Sequence, residues 1–231
     1  MKDKAVLLTG GTGGLGLGVV SAVLARGAKV TLPYRGESGR QRLQEQLTPE
    51  MGDRLRFVPC DLSNEGAVAQ LVAEMGRVEV LIHLVGGFSM GATHQLSYDD
   101  WQASFNLNLN TTFLVCKHCL GAMLQQDYGR IVTVGSGASL KPGANLAAYS
   151  AAKAGVAALT QAIAAETKGT NITANVVLPS VIDTPTNREA MGSDRAENWV
   201  KPESLAEAIC FLASAAAGDL RGAVIPVFGN T

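Results

Sequence analysis

The stretch TGGTGGLGLG, residues 9–18, is the feature that most restricts what this chain can fold into, because it places six glycines in ten positions. It directly follows the apolar run Ala5–Leu8, and a helical pattern begins near Gly14. A strand, a glycine turn and a helix start together form an anion site, since unpaired backbone N–H groups and the helix dipole both favour negative charge. The stretch therefore predicts a backbone that approaches a phosphate-containing ligand closely.

The glycines fit two different patterns. The pattern G-x-G-x-x-G spans residues 11–16, whereas T-G-x-x-x-G-x-G spans residues 9–16. The first pattern expects an acidic residue after the second strand, where it would bind the ribose of a dinucleotide. The chain carries Tyr34 and Arg35 at that place, which favours the second pattern.

Apolar runs of strand length alternate with helical patterns along the whole chain, without a low-complexity linker. We therefore expect a single domain over residues 1–231 with a doubly wound parallel sheet and right-handed crossovers. The predicted strands are Ala5–Thr9, Lys29–Pro33, Leu55–Pro59, Val78–Val85, Arg130–Gly135, Thr173–Leu178 and Ala223–Phe228. The predicted helices lie near Gly14–Ala25, Gly39–Gln46, Glu65–Met75, Tyr98–Gln126, Ala147–Lys168 and Pro202–Ala215.

The charge balance excludes several kinds of partner. With 19 basic and 20 acidic residues the net charge is -1, so there is no electrostatic footprint for nucleic acid or an anionic membrane. No apolar run is long enough to cross a bilayer, and the N-terminal residues have no signal-peptide layout. We expect a cytoplasmic protein whose partners are small molecules or other protein chains.

The four cysteines are too few and too scattered for a disulfide framework in a chain of this size. Cys116 and Cys119 form a C-x-x-C pair inside a helical pattern, but the second pair that a structural zinc site needs is absent. We expect these thiols to pack in the interior, and we predict no metal site.

A tyrosine and a lysine stand four positions apart at Tyr149 and Lys153. On a helix these two residues share one face, which brings the ammonium close to the phenol. A phenol with a pKa of about 10 needs such a cation to act as an acid or base at neutral pH. The pair is therefore a candidate for proton transfer.

Ser136 stands thirteen residues before Tyr149, and Asn175-x-x-x-Pro179 follows downstream. Together with the T-G-x-x-x-G-x-G pattern and Lys153, these residues resemble the short-chain dehydrogenase/reductase family over essentially the whole chain. The resemblance implies a single-domain α/β Rossmann fold, with a doubly wound, seven-stranded parallel sheet flanked by helices. It also implies a catalytic tetrad of Asn108, Ser136, Tyr149 and Lys153, with Asn108 read from FNLNLNTTF.

The resemblance implies a role for each tetrad residue in carbonyl reduction. Tyr149 would donate the proton to the carbonyl oxygen, and Ser136 would hydrogen-bond that oxygen as negative charge develops. Lys153 would lower the pKa of Tyr149 and hold the nicotinamide ribose, while Asn108 would anchor a water that leads protons to Lys153. The cofactor-binding residues that the resemblance implies are Gly10, Thr12, Gly13, Gly14, Leu15, Gly16, Tyr34, Arg35, Asp61, Leu62, Val85, Gly86, Tyr149, Lys153, Pro179, Ile182 and Thr184.

The residues after the second strand favour NADP(H) over NAD(H). A guanidinium such as that of Arg35 suits a 2′-phosphate by its bidentate geometry. In the alternative, Arg35 is a solvated surface charge and Glu37 binds the ribose of NAD(H).

The substrate class stays open between two branches of the family. The tetrad and Arg35 resemble the 3-oxoacyl-carrier-protein reductases, whereas residues 178–205 resemble dihydropteridine reductase. His83-Leu84-Val85-Gly86 stands where the family usually carries Asn-Asn-Ala-Gly. We expect reduction of a ketone or 3-oxoacyl carbonyl; the alternatives are a dihydropteridine-type reductase and a dinucleotide sensor without turnover. The candidates for an apolar substrate pocket are Phe88, Met90, Leu140, Leu146, Met191 and Trp199.

The helical pattern near Ala147–Lys168 is unusually rich in alanine. Small side chains permit close helix approach and leave a broad apolar face. Because members of the family commonly pair these helices between subunits, we expect a homodimer or a homotetramer. In the alternative, a monomer buries this face internally.

Overall fold

The computed structural model describes residues 1–231 and contains seven strands in one sheet. The strands are β1 Ala5–Thr9, β2 Lys29–Tyr34, β3 Leu55–Pro59, β4 Val80–His83, β5 Gly129–Val134, β6 Ile172–Pro179 and β7 Val224–Val227. Their order is β3-β2-β1-β4-β5-β6-β7, and every pairing is parallel. The predicted doubly wound parallel sheet is confirmed. Its order reverses between β1 and β4, which opens a crevice at the carboxyl ends of these strands.

Nine helices connect the strands. They are α1 Gly16–Ala25, α2 Glu37–Glu45, α3 Pro49–Gly52, α4 Glu65–Met75, α5 Tyr98–Phe105, α6 Thr111–Gln126, α7 Ala147–Glu166, α8 Pro185–Met191 and α9 Pro202–Leu212. None of them combines the length and the apolar composition needed to cross a membrane.

Strand β1 shows how the apolar residues fill both faces of the sheet. Val6 and Leu8 are buried in one core with residues of α1 and α9, and Leu7 is buried in a second core with residues of α4 and α6. Successive side chains of a strand point to opposite faces, so a continuous apolar run is what a strand covered on both faces needs.

The predicted helix Tyr98–Gln126 is wrong as a regular α-helix. A π-helical turn, Asn106–Asn110, separates α5 from α6. Within it, Asn108 is buried, and its side chain pairs with both backbone groups of Gly87 at 3.0 Å. We attribute the turn to this pairing with a loop that is distant in sequence, and π-turns frequently occur at functional sites.

The predicted strand Val78–Val85 is also too long, since β4 covers Val80–His83. Beyond β4 the chain runs beside the glycine turn: a Cβ atom on Gly10 would lie 2.8 Å from the backbone nitrogen of Val85. The segment after β4 therefore serves as a wall of the crevice rather than as sheet.

Two short helices, α3 and α8, were not predicted. In both, a threonine caps the helix start and a proline follows it, with Thr48 before Pro49 and Thr184 before Pro185. Threonine at the cap and proline in the first turn are known start signals, so these dipeptides carried the information. The two helices have only four and seven residues, so they are too short to show the apolar periodicity of a helix in the sequence.

Cys116 and Cys119 lie on the buried side of α6. Burial raises the pKa of both thiols, that of Cys116 to about 12. A thiol with such a pKa stays protonated and packs as a small apolar group, which agrees with the predicted packing role.

Candidate active site

A cavity of about 1470 Å³ lies at the carboxyl ends of the strands. At one end its wall includes Arg35, after β2, and Asp61, after β3; at the other it includes Ser136, after β5, and Tyr149 on α7. In the sheet, β2 and β5 are three strand spacings apart, which separates the two ends by about 14 Å. The cavity is therefore suited to an elongated ligand with different groups at its two ends.

The glycine turn forms the floor of this cavity beside β1. Gly10 has a φ of +73°, which L side chains rarely adopt, and it makes the turn. A Cβ atom on Gly16 would lie 2.0 Å from the carbonyl oxygen of Gly11, so only glycine fits where the turn meets α1. Gly13 and Gly14 are exposed, and α1 starts without a side-chain cap. An open backbone at an uncapped helix start fits a pyrophosphate.

Ser136 and Tyr149 lie together at the opposite end of the cavity. Ser136 follows β5, is 9% exposed, and its Oγ accepts a hydrogen bond from the backbone nitrogen of Ala138 at 3.2 Å. Burial raises the pKa of Tyr149, while the nearby hydroxyl of Ser136 acts in the opposite direction. The phenol is thus held in its protonated form.

Lys153 lies one helical turn after Tyr149 and is 5% exposed. Its Nζ donates a hydrogen bond to the carbonyl oxygen of Val134 at 3.0 Å, and burial lowers the pKa of the ammonium to about 8. A Cβ atom on Gly86 would lie 2.7 Å from this Nζ and 2.8 Å from Oδ1 of Asn108. Three of the tetrad residues line the cavity, and Asn108 lies behind its wall.

Arg35 and its acidic neighbour Glu37, at the other end of the cavity from Ser136 and Tyr149, have different surroundings. Both carboxylate oxygens of Glu37 are occupied, one by the hydroxyl of Tyr34 at 2.8 Å and one by Nε of Arg40 at 2.7 Å. Arg35 is exposed, lines the cavity and belongs to no ion pair, whereas Glu37 does not line the cavity. Two hydrogen bonds from Ser63 lower the pKa of Asp61, and the charge of Arg35 adds to this.

The structure brings nearly all the residues expected to bind a cofactor to one cavity. Gly16 is the exception, since it is buried beneath the turn. The expected residues that line the cavity are Gly10, Thr12, Gly13, Gly14, Leu15, Tyr34, Arg35, Asp61, Leu62, Val85, Gly86, Tyr149, Lys153, Pro179, Ile182 and Thr184.

The apolar pocket candidates divide into two groups. Phe88, Leu140, Leu146 and Met191 line the cavity, and the ring of Phe88 meets that of Tyr149 edge-on at 5.1 Å. Met90 is exposed but does not line the cavity. Trp199 is buried away from it.

Three residues at this site are not among those expected to bind the cofactor or to act in catalysis. Gly11 is buried, and a Cβ atom there would lie 2.5 Å from Cδ1 of Leu32, so it permits the turn to pack on the core. Gly87 pairs with Asn108, and Lys141 lines the cavity beyond Ser136. In the sequence, Gly11 and Gly87 could have been found because each stands beside another glycine of the site. Lys141 could have been found as a basic residue five positions after Ser136.

No group of three histidine, cysteine, aspartate or glutamate side chains is placed to share a metal ion. The chemical groups of the cavity are instead a phenol, a hydroxyl, an ammonium and a backbone anion site. This set suits proton transfer beside a bound phosphate-containing molecule.

Comparison with known proteins gives matches along the whole chain. The family model described as short chain dehydrogenase matches residues 4–194. The chain is 30% identical to D-threitol dehydrogenase of Mycolicibacterium smegmatis, covering 100% of this chain and 93% of that protein. It is also 30% identical to the 3-oxoacyl-[acyl-carrier-protein] reductase of Salmonella typhimurium, covering 99% and 97%.

Among solved structures, a variant of actinorhodin polyketide ketoreductase with NADPH superposes with a TM-score of 0.90 at 30% identity, covering 99% of this chain and 98% of that one. Levodione reductase gives a TM-score of 0.91 at 25% identity, covering 99% and 97%. Members of this family are oxidoreductases that interconvert alcohol and carbonyl groups with nicotinamide cofactors. The chain, with its parallel sheet, glycine turn and paired tyrosine and lysine, belongs to the short-chain dehydrogenase/reductase family.

Proposed function

We propose that this protein reduces a ketone or 3-oxoacyl carbonyl to an alcohol with NADPH, and that Tyr149 is the general acid. The observation that carries the proposal is the grouping of Tyr149, Ser136 and Lys153 at one end of the cavity, with the glycine turn along its floor. A protein that only sensed a dinucleotide would need the turn but not the positioned phenol and ammonium.

Carbonyl reduction requires a hydride at carbon and a proton at oxygen, and a bound nicotinamide cofactor supplies the hydride. Tyr149 supplies the proton. The phenol, whose pKa burial raises, is protonated at neutral pH and can give up its proton when the carbonyl oxygen becomes basic. Ser136 stabilises the same oxygen by donating a hydrogen bond as its negative charge grows.

Lys153 acts after the proton has left Tyr149. Its ammonium would stabilise the phenolate and hold the ribose hydroxyls of the cofactor, and its hydrogen bond to the carbonyl of Val134 supports this role by fixing its position. We propose that Asn108 anchors a water on the path to Lys153. The carbonyl oxygen of Asn108 accepts a hydrogen bond from Thr112 Oγ1 at 2.8 Å.

The general-acid role is tested by Tyr149→Phe, which removes the proton donor and keeps the ring beside Phe88. We expect kcat to fall by about 100- to 10,000-fold, with the Kd for NADPH nearly unchanged. The measurements are NADPH oxidation with a panel of ketones, acyl thioesters and a quinonoid dihydropterin, and cofactor binding by fluorescence titration.

Tyr98→Phe is the matched control, since Tyr98 is 72% exposed at the start of α5. An active Tyr149→Phe enzyme would refute the role of Tyr149. Binding of NADPH without turnover of any compound in the panel would refute the enzyme function, and fastest turnover of the pterin would favour the dihydropteridine reductase alternative.

We further propose that Arg35 selects NADPH by binding its 2′-phosphate. Arg35 has no ion-pair partner, lies at the cavity wall and is flanked by Tyr34, whose hydroxyl is held by Glu37. Each oxygen of Glu37 already accepts one hydrogen bond, from Tyr34 or from Arg40, and Glu37 does not line the cavity, which disfavours it as the partner of the ribose hydroxyls of NADH.

Arg35→Ala tests this choice of cofactor. A charge-assisted hydrogen bond contributes about 1.5–3 kcal/mol, so we expect the Kd for NADPH to rise about 10- to 100-fold. The Kd for NADH should change little, and both are measured by titration. Arg42→Ala, at an exposed position of α2 outside the cavity, serves as the control. An equal loss for both cofactors would contradict the assignment.

Two features support further parts of the proposal. Cys60, Cys116, Cys119 and Cys210 are all free thiols, which is usual in a reducing compartment, and we propose a cytoplasmic location. On α7, alanines are exposed at four positions, Ala154, Ala158, Ala162 and Ala165, and we propose that this face pairs with a second copy of the chain in a homodimer or homotetramer.

A further inference from the structure

The end of the cavity near Ser136 and Tyr149 has a distinctive charge distribution. Apart from the buried Lys153, the only charged side chain that lines this end is Lys141. The other two charged lining residues, Arg35 and Asp61, lie at the adenosine end. No acidic side chain lines this end of the cavity, so Lys141 and Lys153 give its lining side chains a positive formal charge.

Lys141 is free to bind a ligand. It is exposed, and its ammonium takes part in none of the ion pairs or side-chain hydrogen bonds of the chain. On the segment after β6, Asp183 and Arg188 are already paired with each other through two hydrogen bonds of 2.5 and 2.8 Å. The ammonium of Lys141 therefore has no ion-pair partner within the chain.

The backbone of Lys141 is held at a fixed place relative to the reacting groups. Its nitrogen donates to the carbonyl oxygen of Gly137 at 3.1 Å, within the short turn that begins at Ser136. Ser139 Oγ closes this turn by donating to the carbonyl oxygen of Ser136 at 2.6 Å. Pro142 follows and restricts the backbone of Lys141 to extended conformations. The side chain itself is exposed.

The neighbouring wall is apolar. Phe88, Leu140 and Met191 line the cavity with 65%, 52% and 61% of their surface exposed. Exposed apolar side chains around a cavity indicate a ligand with an apolar body. A single unpaired ammonium balances one negative charge. A carboxylate carries one negative charge, whereas a phosphate monoester carries about -1.5 to -2.

Resting on the proposed carbonyl reduction, we propose that the substrate is an oxo acid and that Lys141 is a specificity-determining residue that binds its carboxylate. The apolar segment between the carbonyl group and the carboxylate lies against Phe88, Leu140 and Met191.

The test compares charged and neutral forms of the same substrate. Methyl ketones from 4-oxopentanoate to 7-oxooctanoate are assayed with NADPH, each beside its methyl ester and beside an analogue that ends in a phosphate. For at least one chain length we expect the wild-type kcat/KM for the acid to exceed that for the ester about fivefold, the size of an exposed ion pair. The preference should shrink as salt screens the pair.

Lys141→Gln should abolish this preference by raising KM for the acid, with kcat and ester turnover unchanged, and Lys141→Arg should keep part of it. Lys168→Gln, an exposed lysine outside the cavity, is the control. The role of Lys141 would be overturned, and the carbonyl reduction would stand, if the wild type turned over the esters without preferring the acids. Equal losses of kcat/KM for acid and ester in Lys141→Gln would have the same meaning. A larger preference for the phosphate would overturn the carboxylate, and no turnover of any ketone would overturn the carbonyl reduction itself.

Discussion

At the scale of single residues, His83 departs most from what the family pattern suggests. It ends β4, is 1% exposed, and its Nδ1 lies 2.9 Å from the hydroxyl oxygen of Thr9 on β1. Its Nε2 is buried without a hydrogen-bond partner. Burial lowers the pKa of His83 to about 3, and the charge of Lys153 acts in the same direction. The imidazole is therefore neutral in the folded protein.

This neutral histidine makes stability depend on pH. The unfolded chain binds a proton at His83 below a pH of about 6.5, whereas the folded chain does so only near pH 3. The contribution of His83 is thus complete above pH 6.5 and is lost as the pH falls towards 3. At about 1.4 kcal/mol per pH unit, folding should lose about 2 kcal/mol between pH 6.5 and 5.

The prediction is checked with His83→Asn, which removes the titrating group and keeps a polar side chain beside Thr9. Urea unfolding at pH 7, 6 and 5 should give a free energy of unfolding that falls less steeply in this variant than in the wild type. His94→Asn, at an exposed position, should keep the wild-type slope. Parallel curves for wild type and His83→Asn would show that His83 is not the group that titrates.

Residue identities could be predicted where the chemistry requires a fixed side chain at a fixed spacing. Tyr149 and Lys153 stand four positions apart on one helix. Their spacing in the sequence is therefore enough to predict that they lie on the same face of that helix. The environment of His83 could not be predicted, since its partner Thr9 is 74 positions away along the chain. The same applies to Lys141, whose freedom from ion pairs is a property of the folded surface.

At the scale of elements, prediction depended on whether the cause was local. The strands of the sheet follow from runs of apolar residues, and the structure has all seven. The π-turn Asn106–Asn110 was missed because its stabilising contact joins Asn108 to Gly87, 21 positions away. The end of β4 was misplaced because the apolar Leu84 and Val85 continue the strand pattern while their backbone faces Gly10. Both misjudged elements border the cavity, where function competes with regular structure.

At the scale of the whole molecule, the outer side of α6 and α7, which faces away from the sheet, is apolar and exposed in part. Phe113 and Leu124 on α6 are 47% and 52% exposed, and the exposed side of α7 consists largely of alanine. Apolar helix surfaces of this kind commonly mark protein interfaces. The alternative of a monomer that buries the alanine face internally does not agree with the exposure of Ala154 and Ala158.

A symmetric interface makes a strong prediction for charged substitutions on these helices. In a two-fold dimer each substituted residue occurs twice across the same contact, so an introduced charge is desolvated and repelled by its own copy. We expect Ala158→Arg and Phe113→Glu to lower the molar mass measured by light scattering towards that of one chain, 24.0 kDa. Phe211→Glu, at a residue of α9 that is 52% exposed on the other face of the sheet, should leave the assembly intact. A wild-type protein that is already monomeric at micromolar concentration would contradict the proposed pairing, as would two variants that assemble like the wild type.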